Sequence, residues 1–294
     1  MNNILIAGGT GLIGKRLTTY LESTENVVFI LTRKPTASNH IFWNPSTHEI
    51  DTTKLGTITH LINLCGASLA GKRWSNAYKK ELLDSRIQPA QFLLENIQYF
   101  PKLSHYITAS GINCYPLNQT KVYTETDSFG TDFVSQLVKQ WEETSELFSP
   151  HCLVSKIRIS PVLDKQGGAL VEIMKPIQAG FGAALGDGNQ AMPWIHYEDL
   201  VRIFDSVLQH QLAGAFNAVA ETSTNKEFTA ICAESISKKI RLPNLPAFMV
   251  KLLFGEMSML LLEGVQASHE KLTKAGFTFK HTDLKEAISS LNEG

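Results

Sequence analysis

The sequence predicts an α/β fold in which a doubly wound, mostly parallel sheet carries a smaller and mostly helical C-terminal region. Three observations predict it. The apolar run Ile4 to Ala7 breaks into glycines and continues as an amphipathic stretch from Leu12 to about Leu21. Strand and helix patterns alternate through the first two-thirds of the chain, and from Lys226 onward the pattern is mostly helical. Alternation of this kind is typical of parallel strands whose crossover helices cover the sheet.

Apolar periodicity places the individual elements. Buried strands are predicted at 4–7, 27–31, 61–64, 106–109 and 154–159, and a strand end meets a helix within 194–200. Helices are predicted at 12–21, 76–83, 89–97, 133–148 and 170–179. Pro243 and Pro246 precede the last helices, in which the apolar residues recur at helical spacing and are expected to cover a surface. These residues are Leu252, Leu253, Met257, Leu260 and Leu261.

Two units follow from this order of elements. Residues 1–163 are predicted to form a nucleotide-binding domain, and the chain is expected to cross back to it around 189–220. Residues 164–294 are predicted to form a smaller substrate-binding or lid region, which ends in a helical domain at about 243–291.

Composition and charge exclude several classes of protein. The 294 residues carry 27 basic and 28 acidic side chains, so the net charge of -1 gives no electrostatic case for nucleic acid or an anionic membrane. No apolar run reaches membrane-spanning length, and no signal peptide precedes the first strand. The four cysteines lack metal-ligand spacing, so we expect no metal site and a reducing, cytoplasmic location. A small-molecule substrate is expected, and a homodimer is compatible with the sequence.

The glycine turn after the first strand predicts a dinucleotide site. Gly8, Gly11 and Gly14 follow the strand at three-residue spacing. Gly8 permits the sharp turn, Gly11 lets the backbone approach a pyrophosphate, and Gly14 lets the helix pack close to the strand. The phosphates would bind the free N–H groups at the N-terminus of the new helix. The turn therefore predicts dinucleotide binding, and the alternative is an ordinary turn between a strand and a helix.

The end of the second strand indicates which dinucleotide is bound. A domain that binds NAD usually has Asp or Glu there, which accepts a hydrogen bond from the ribose 2′-hydroxyl. This chain has Thr32, Arg33 and Lys34 instead. Because Arg33 offers a planar fork of donors that suits a phosphate, the predicted cofactor is NADP. The alternative is a solvated basic turn.

Three further strand ends carry candidate residues. Residues 63–67 close a buried strand, and the glycine within them, Gly66, would let the backbone approach the cofactor. Ser110 follows the strand at 106–109, and its hydroxyl either binds a substrate oxygen or caps a turn. His196 either transfers a proton or takes a structural role.

Together these residues resemble the short-chain dehydrogenase/reductase superfamily in its extended, epimerase-like form. The resemblance is strongest to the branch of epimerase family proteins, which carries a C-terminal domain of unknown function. It covers nearly the whole chain. It rests on GGTGLIG at 8–14, TRK at 32–34, NLCGA at 63–67, KRW at 72–74, ELLDSRI at 81–87, DFVSQLVKQWE at 132–142, MPWIHYEDLV at 192–201, LPAFMVKLLFGEM at 245–257 and KLTKAGFTF at 271–279.

The resemblance implies a Rossmann-type nucleotide domain and NADP binding, with Glu81 and Arg86 facing the cofactor. Arg86 would pair with a phosphate, and Glu81 would reach a ribose or an adenine edge. Without the resemblance, these two residues could equally be an exposed pair on a helix. The complete predicted cofactor-binding set is Gly8, Thr10, Gly11, Leu12, Ile13, Gly14, Thr32, Arg33, Leu64, Cys65, Gly66, Glu81, Arg86 and Pro161.

One departure from the superfamily pattern affects catalysis. Typical members use a Tyr and, four residues on, a Lys, and the Tyr transfers a proton to substrate. No tyrosine in this sequence has Lys four residues later, and the matching positions hold Phe133 and Leu137. Ser110 remains at the hydroxyl position, and Tyr115 is the only phenol near that strand end. Tyr115 would either act as the proton donor or pack against the strand.

Two functional hypotheses follow. The first is an NADP-dependent oxidoreductase or epimerase-like enzyme of unknown substrate, in which Ser110 polarises a carbonyl and Tyr115 donates a proton. The second is a non-catalytic NADP-binding or redox-sensing protein. The missing Tyr–Lys pair favours the second, and the retained Ser110 together with the lid region favours the first.

Overall fold

The computed structural model of the protein describes residues 2–293, without the side chains of residues 118–119 and 292–293. The strands are β1 (Asn3–Ala7), β2 (Val27–Thr32), β3 (His40–Asn44), β4 (Glu49–Ile50), β5 (His60–Asn63), β6 (His105–Gly111), β7 (Asn118–Tyr123), β8 (Leu153–Ile159), β9 (Val162–Leu163), β10 (Ala191–His196), β11 (Gly214–Ala218), β12 (Glu221–Thr224) and β13 (Val265–Ala267). The helices are α1 (Leu12–Ser23), α2 (Asn76–Glu95), α3 (Phe133–Glu146), α4 (Gly168–Gln178), α5 (Tyr197–Gln209), α6 (Asn225–Glu234), α7 (Ala247–Phe254), α8 (Ser258–Leu262), α9 (Glu270–Lys274) and α10 (Leu284–Glu293).

The central sheet has the order β11-β8-β6-β5-β1-β2-β3-β4. Neighbouring strands in it are parallel except for the short antiparallel pair β3 and β4. The chain runs outward from β1 first through β2 and β3, and then through β5, β6, β8 and β11. The strand order therefore reverses between β1 and β5, where an open α/β sheet has its ligand crevice. The predicted Rossmann-type, doubly wound sheet is confirmed.

Both faces of the sheet are covered by helices. Side chains that alternate along β1 point to opposite faces, so this strand contributes to two separate hydrophobic clusters. Ile4 and Ile6 belong to the hydrophobic cluster that includes Leu17 of α1. Leu5 belongs to a second cluster, which includes Leu93 of α2. A helical layer thus packs on each face, as two-sided burial of a parallel sheet requires.

The C-terminal half is interleaved with the nucleotide-binding half. β11 pairs with β8 in the central sheet, so the chain crosses back in the region that the sequence predicts. β13 pairs with β7, and β9, β10 and β12 form a small sheet of their own. Arg16 of α1 also donates two hydrogen bonds of 2.9 Å to the carboxylate of Asp164. The division at residue 163 stays a prediction.

The prediction of two helices at 76–83 and 89–97 is wrong, because α2 is continuous across Pro89. A proline inside a helix removes one backbone hydrogen bond and costs about 3 kcal/mol. Leu82, Ala90 and Leu93 of this helix are fully buried. Burial of one such Leu side chain contributes about 1.5–3 kcal/mol, so packing of the inner face outweighs the proline.

The expectation that the C-terminal leucines cover a surface is wrong for two of them. Leu252 and Leu253 are 73% and 60% exposed, whereas Val250 is the fully buried residue of α7. Met257 and Leu260 are partly buried against a third hydrophobic cluster around Trp74. Within residues 2–293, none of the helices combines the length and the apolar character needed to cross a membrane.

Candidate functional site

A cleft of about 1260 Å³ lies at the carboxyl ends of β1, β2 and β5. The glycine turn closes one side, the end of β2 and the turn after β3 close another, and α2 forms the far wall. It is lined by Gly8, Thr10, Gly11, Leu31, Thr32, Arg33, Lys34, Trp43, Asn44, Pro45, Ser46, Leu64, Cys65, Gly66, Ala77, Lys80, Glu81, Asp84, Ser85, Gln88 and Pro89.

The geometry of the glycine turn excludes a side chain at two of its three glycines and leaves the third open. Gly8 has φ of +81°, and a Cβ there would lie 2.9 Å from the carbonyl carbon of Leu64. A Cβ at Gly14 would lie 2.3 Å from the Gly8 oxygen, so α1 packs against the turn as closely as the sequence predicts. At Gly11, the N-cap of α1, a Cβ would approach only the Gly8 oxygen, at 3.3 Å. The surface at Gly11 is therefore open to the cleft and to the N-terminus of the helix.

Arg33 supplies positive charge to the cleft at the end of β2. Its side chain is exposed, and none of the ion pairs among residues 2–293 involves it. The carboxylates of the cleft lie across it on α2, where Glu81 pairs with Lys72 at 2.9 Å and Asp84 pairs with Lys80. An anionic group beside Arg33 would consequently meet a cation whose charge no carboxylate neutralises.

Arg86 supports the wall of the cleft from behind. Its guanidinium donates to the carbonyl oxygens of Leu82 and Ala67, at 2.8 and 3.0 Å, and lies over the ring of Trp141. A Cβ at Gly66 would lie 3.1 Å from the Arg86 Cζ, so a side chain there would crowd the guanidinium. Burial lowers the pKa of Arg86 to about 10. Arg86 thereby holds the loop that follows β5, and its pairing with a phosphate stays a prediction.

Most of the predicted cofactor-binding residues lie together in the cleft. They are Gly8, Thr10, Gly11, Thr32, Arg33, Leu64, Cys65, Gly66 and Glu81. Leu12 and Ile13 lie beside Arg16 and Tyr197 on the other side of α1. Pro161 lies between β8 and β9, where its carbonyl oxygen accepts a hydrogen bond from the Ile195 N–H at 3.1 Å.

Ser110 and Tyr115 lie in one buried hydrogen-bond network. The Ser110 hydroxyl donates to Glu142 at 2.6 Å, and Glu142 accepts two hydrogen bonds from Arg158. Arg158 also donates to the Tyr115 hydroxyl at 2.8 Å, and this hydroxyl donates to Asn217 at 2.7 Å. Burial lowers the pKa of Arg158, but the hydrogen bonds that Arg158 donates to Glu142 and the negative charge of that carboxylate outweigh it, so the net pKa is raised.

Neither hydroxyl of this network lines the cleft. Tyr115 is fully buried and stacks on Tyr123 with ring centroids 5.0 Å apart, and burial raises the pKa of its phenol. Of the two alternatives for Tyr115, the structure favours packing. The Ser110 proton is held by Glu142 rather than directed at the cleft. The catalytic roles of both residues stay predictions.

Phe133 and Leu137 are packing residues in the structure. Phe133 meets Trp74 edge to face at 5.4 Å, and the Lys79 ammonium lies 4.7 Å from its ring centroid. Leu137 is buried in the same cluster. The positions at which the superfamily pattern has Tyr and Lys are thus part of an apolar core.

Sequence reasoning missed two sets of residues. The end of β3 and the turn after it bring Asn44 and Ser46 into the cleft, and no strand is predicted there because the apolar run of β3 is only three residues long. Arg158 and Glu142 are the second set, and the sequence contains a pattern that could have identified them. Arg158 interrupts a buried strand, and a charge in such a strand needs a partner.

His196, Glu198 and His281 also lie together, with possible ligand atoms within 4.8 Å of one another. His196 Nδ1 accepts from the Glu198 N–H at 3.2 Å and caps α5. Glu198 accepts from the Lys280 ammonium at 2.6 Å and from His281 at 3.1 Å. The helix cap and the ion pair account for all three groups, so the structure favours the structural role of His196.

Comparison with known proteins finds two family models and several curated relatives that match the chain. The model for the NAD dependent epimerase/dehydratase family matches residues 4–135, and a domain of unknown function matches residues 245–291. The chain is 36% identical to the epimerase family protein Mb2239 of Mycobacterium bovis over 290 residues, 97% of this chain and 96% of the relative. It is 31% identical to the epimerase family protein SDR39U1 of Bos taurus over 98% of this chain and 99% of the relative.

Two solved structures share the fold over nearly the whole chain. The crystal structure of human epimerase family protein SDR39U1 (isoform 2) with NADPH superposes with a TM-score of 0.91 at 29% identity, covering 99% of both chains. The nucleoside-diphosphate sugar epimerase from Corynebacterium glutamicum superposes with a TM-score of 0.80 at 25% identity, covering 99% of this chain and 58% of that one. The resemblance is confirmed: the chain belongs to the epimerase family proteins, a branch of the NAD dependent epimerase/dehydratase family.

Proposed function

We propose that the protein is an NADP-dependent oxidoreductase or epimerase-like enzyme that acts on a small-molecule substrate. One observation carries the proposal: the glycine turn and the unpaired Arg33 open into the same cleft. The cleft volume of about 1260 Å³ exceeds the 300–1,000 Å³ typical of ligand pockets and suits an extended dinucleotide. The human relative crystallised with NADPH supports the same cofactor.

The residues of the cleft have complementary roles in this proposal. The N-terminus of α1 at Gly11 would receive the pyrophosphate, and Arg33 would pair with the 2′-phosphate. Glu81 on the opposite wall would accept a hydrogen bond from a ribose or from an adenine edge. Residues 1–163, with the returning segment around 189–220, would form the nucleotide domain, and 164–294 the substrate or lid region. The four free cysteines suit a reducing cytoplasm.

Bound NADP would supply the hydride chemistry, and the protein would supply binding, orientation and proton control. Ser110 would polarise a substrate carbonyl only after its hydroxyl turns away from Glu142. Tyr115 would donate a proton only if the stack with Tyr123 opens. An enzyme of this kind therefore requires the buried network to rearrange when substrate binds.

The second candidate is a non-catalytic NADP-binding or redox-sensing protein. It is favoured by the burial of Ser110 and Tyr115 and by the apolar packing of Phe133 and Leu137. In that case the network would be purely structural.

A turnover screen tests the enzymatic proposal. The protein is assayed with NADPH against aldehydes, ketones and nucleotide sugars, following nicotinamide absorbance, beside the variants Ser110→Ala and Tyr115→Phe. The double variant Phe133→Tyr/Leu137→Lys restores the superfamily pair. The proposal expects a substrate whose turnover falls about 10²–10⁴-fold without the Tyr115 or Ser110 hydroxyl. NADPH binding with no turnover by the parent across the panel, or turnover that neither substitution affects, would favour the second candidate.

A further inference from the structure

The C-terminal region exposes an unusual concentration of apolar side chains. Phe248 and Leu252 are 70% and 73% exposed. Of the ten large apolar side chains most exposed among residues 2–293, six come from α7 and two neighbouring loops. These six, the α7 face, are Phe181, Leu242, Phe248, Met249, Leu252 and Leu253.

Two apolar residues of α7, Phe248 and Leu252, point away from the protein. Val250 is fully buried and fixes the inner side of the helix. Phe248 and Leu252 lie one turn apart. At 100° per residue, their shared stripe is 160–200° from Val250. The helix is therefore apolar on both sides, and only one side has a partner among the described residues.

Phe181 and Leu242 belong to the same surface because their loops are joined. Leu245 donates to the Ala184 oxygen and accepts from the Gly186 N–H, both at 2.8 Å. A Cβ at Gly182 would lie 2.9 Å from Ile240, so the two loops are in contact beside Phe181. The six residues of the α7 face thus lie on α7 and on two loops that are joined just before the helix begins.

Cations are concentrated in the segment that carries most of this patch. Residues 235–254 contain four cations and no carboxylate, although the whole chain has a net charge of -1. The cations are Lys238, Lys239, Arg241 and Lys251. All four are exposed, and none takes part in an ion pair within the described part of the chain. The carboxylates that flank the segment, Glu234 and Glu256, pair with Lys285 and Lys79, and Asp187 lies on the loop joined to Leu245.

The charge and the shape of the α7 face indicate what kind of partner binds to it. A second copy of the chain would bring four cations against four, and like charges facing each other disfavour such a contact. A partner helix would need a groove, whereas Phe248 and Leu252 project outward. An anionic lipid surface matches both properties, since protruding apolar side chains enter the boundary between headgroups and acyl chains while flanking cations pair with the headgroups.

We propose that the α7 face docks on the surface of a membrane that contains anionic phospholipid. The protein lies on the membrane and does not span it. The net charge of the whole chain conceals this property, because the four cations are concentrated in twenty residues.

Vesicle flotation with the full-length protein tests the proposal. Vesicles of phosphatidylcholine are compared with vesicles that also contain phosphatidylglycerol, at low and high salt. The parent should float only with the anionic vesicles, and less at high salt. In Lys239→Gln/Arg241→Gln/Lys251→Gln, each lost cation should lower the partition coefficient about fivefold. In Leu252→Gln/Leu253→Gln the coefficient should fall at least about tenfold.

Matched controls exclude a general effect of surface substitution. Leu147→Gln removes an exposed leucine that directly follows α3, and Lys102→Gln removes an exposed lysine, both outside the patch. Each control should float like the parent, and all variants should keep the parent's melting temperature and NADP affinity. The proposal is overturned if the parent does not float with anionic vesicles, or if the controls lose as much binding as the patch variants. It is also overturned if light scattering finds a dimer that Leu252→Gln/Leu253→Gln abolishes, which would make a second copy the occupant.

Discussion

Arg158 and Glu142 lie face to face inside the protein, joined by two hydrogen bonds of 2.8 and 2.9 Å between the guanidinium and the carboxylate. Both side chains are at least nine-tenths buried. Removing two charges from water is costly, so each depends on the other for stabilisation. Arg158 lies on β8 and Glu142 lies on α3. Ser110 links this pair to the end of β6, and Tyr115 links it to Asn217 of the returning strand β11.

Loss of one partner of this pair should destabilise the protein strongly. Arg158→Met leaves the Glu142 carboxylate buried and unpaired, and we expect the free energy of unfolding to fall by about 3–5 kcal/mol. The double variant Glu142→Leu/Arg158→Met removes both charges and should recover most of that loss. Urea unfolding measures both. Arg241→Met, at an exposed site, is the control. A single variant within 1 kcal/mol of the parent would show that the ion pair contributes little.

Gly11→Val should abolish NADP binding without unfolding the protein. The backbone at Gly11 has φ of -75° and tolerates a side chain, but the new methyl groups would occupy the approach to the N-terminus of α1. NADP at 100 times its dissociation constant should stabilise the parent by about 2.7 kcal/mol and the variant not at all. Thermal shift measures this. Gly56→Val, where a Cβ meets no atom within 4 Å, is the control. Full stabilisation of Gly11→Val would place the phosphates elsewhere.

The C-terminal segment should be indispensable despite its exposed leucines. Leu272, Leu284, Ile288 and Leu291 are buried in the cluster that packs on the β1 and α1 side of the sheet. A chain that ends near Leu242 loses these residues and the strand paired with β7. We expect it to be insoluble or loosely packed. Size-exclusion chromatography and NADP affinity test this. A monodisperse fragment with full NADP affinity would show that the tail is independent.

The sequence predicts the fold well where one physical effect dominates. Glycine spacing and apolar runs predict the central strands and α1, because a parallel sheet buries both faces. The break expected at Pro89 does not occur, since tertiary packing of Leu82 and Leu93 outweighs local propensity. Strand β3 escapes prediction because its apolar run is only three residues long, Ile41 to Trp43, between polar residues.

The candidate site also contains residues that the sequence can predict and residues that it cannot. The cleft residues that act through backbone or position, such as Gly11 and Arg33, can be predicted, because their roles depend on the strand ends alone. The network around Tyr115 cannot, since Asn217 is 102 residues distant in sequence. The direction of a side chain such as Arg86 depends on the loop beside it, which no local pattern specifies.

Buried histidines should make the protein less stable in mild acid. Burial lowers the pKa values of His105 and His196 to about 4. Unfolding restores the ordinary value near 6.5, so the unfolded chain binds more protons between these limits. Stability is therefore highest above pH 6.5 and falls as the pH drops towards 4, by about 2 kcal/mol per histidine at pH 5.

Urea unfolding at pH 7 and pH 5 measures this dependence. His105→Gln should make it shallower, whereas His151→Gln, at an exposed histidine, should leave it unchanged. Equal stability of the parent at the two pH values would contradict this prediction.

The central claim is that the cleft binds NADP through Arg33. A charge-assisted hydrogen bond to a phosphate contributes about 1.5–3 kcal/mol, which corresponds to roughly a 10- to 100-fold difference in affinity. Isothermal titration calorimetry of NADP and NAD on the parent, on Arg33→Ala and on the control Arg241→Ala measures it directly. We predict that parent and control prefer NADP by this factor and that Arg33→Ala binds the two nucleotides equally. Equal affinities in the parent, or a preference that survives in Arg33→Ala, would contradict the claim.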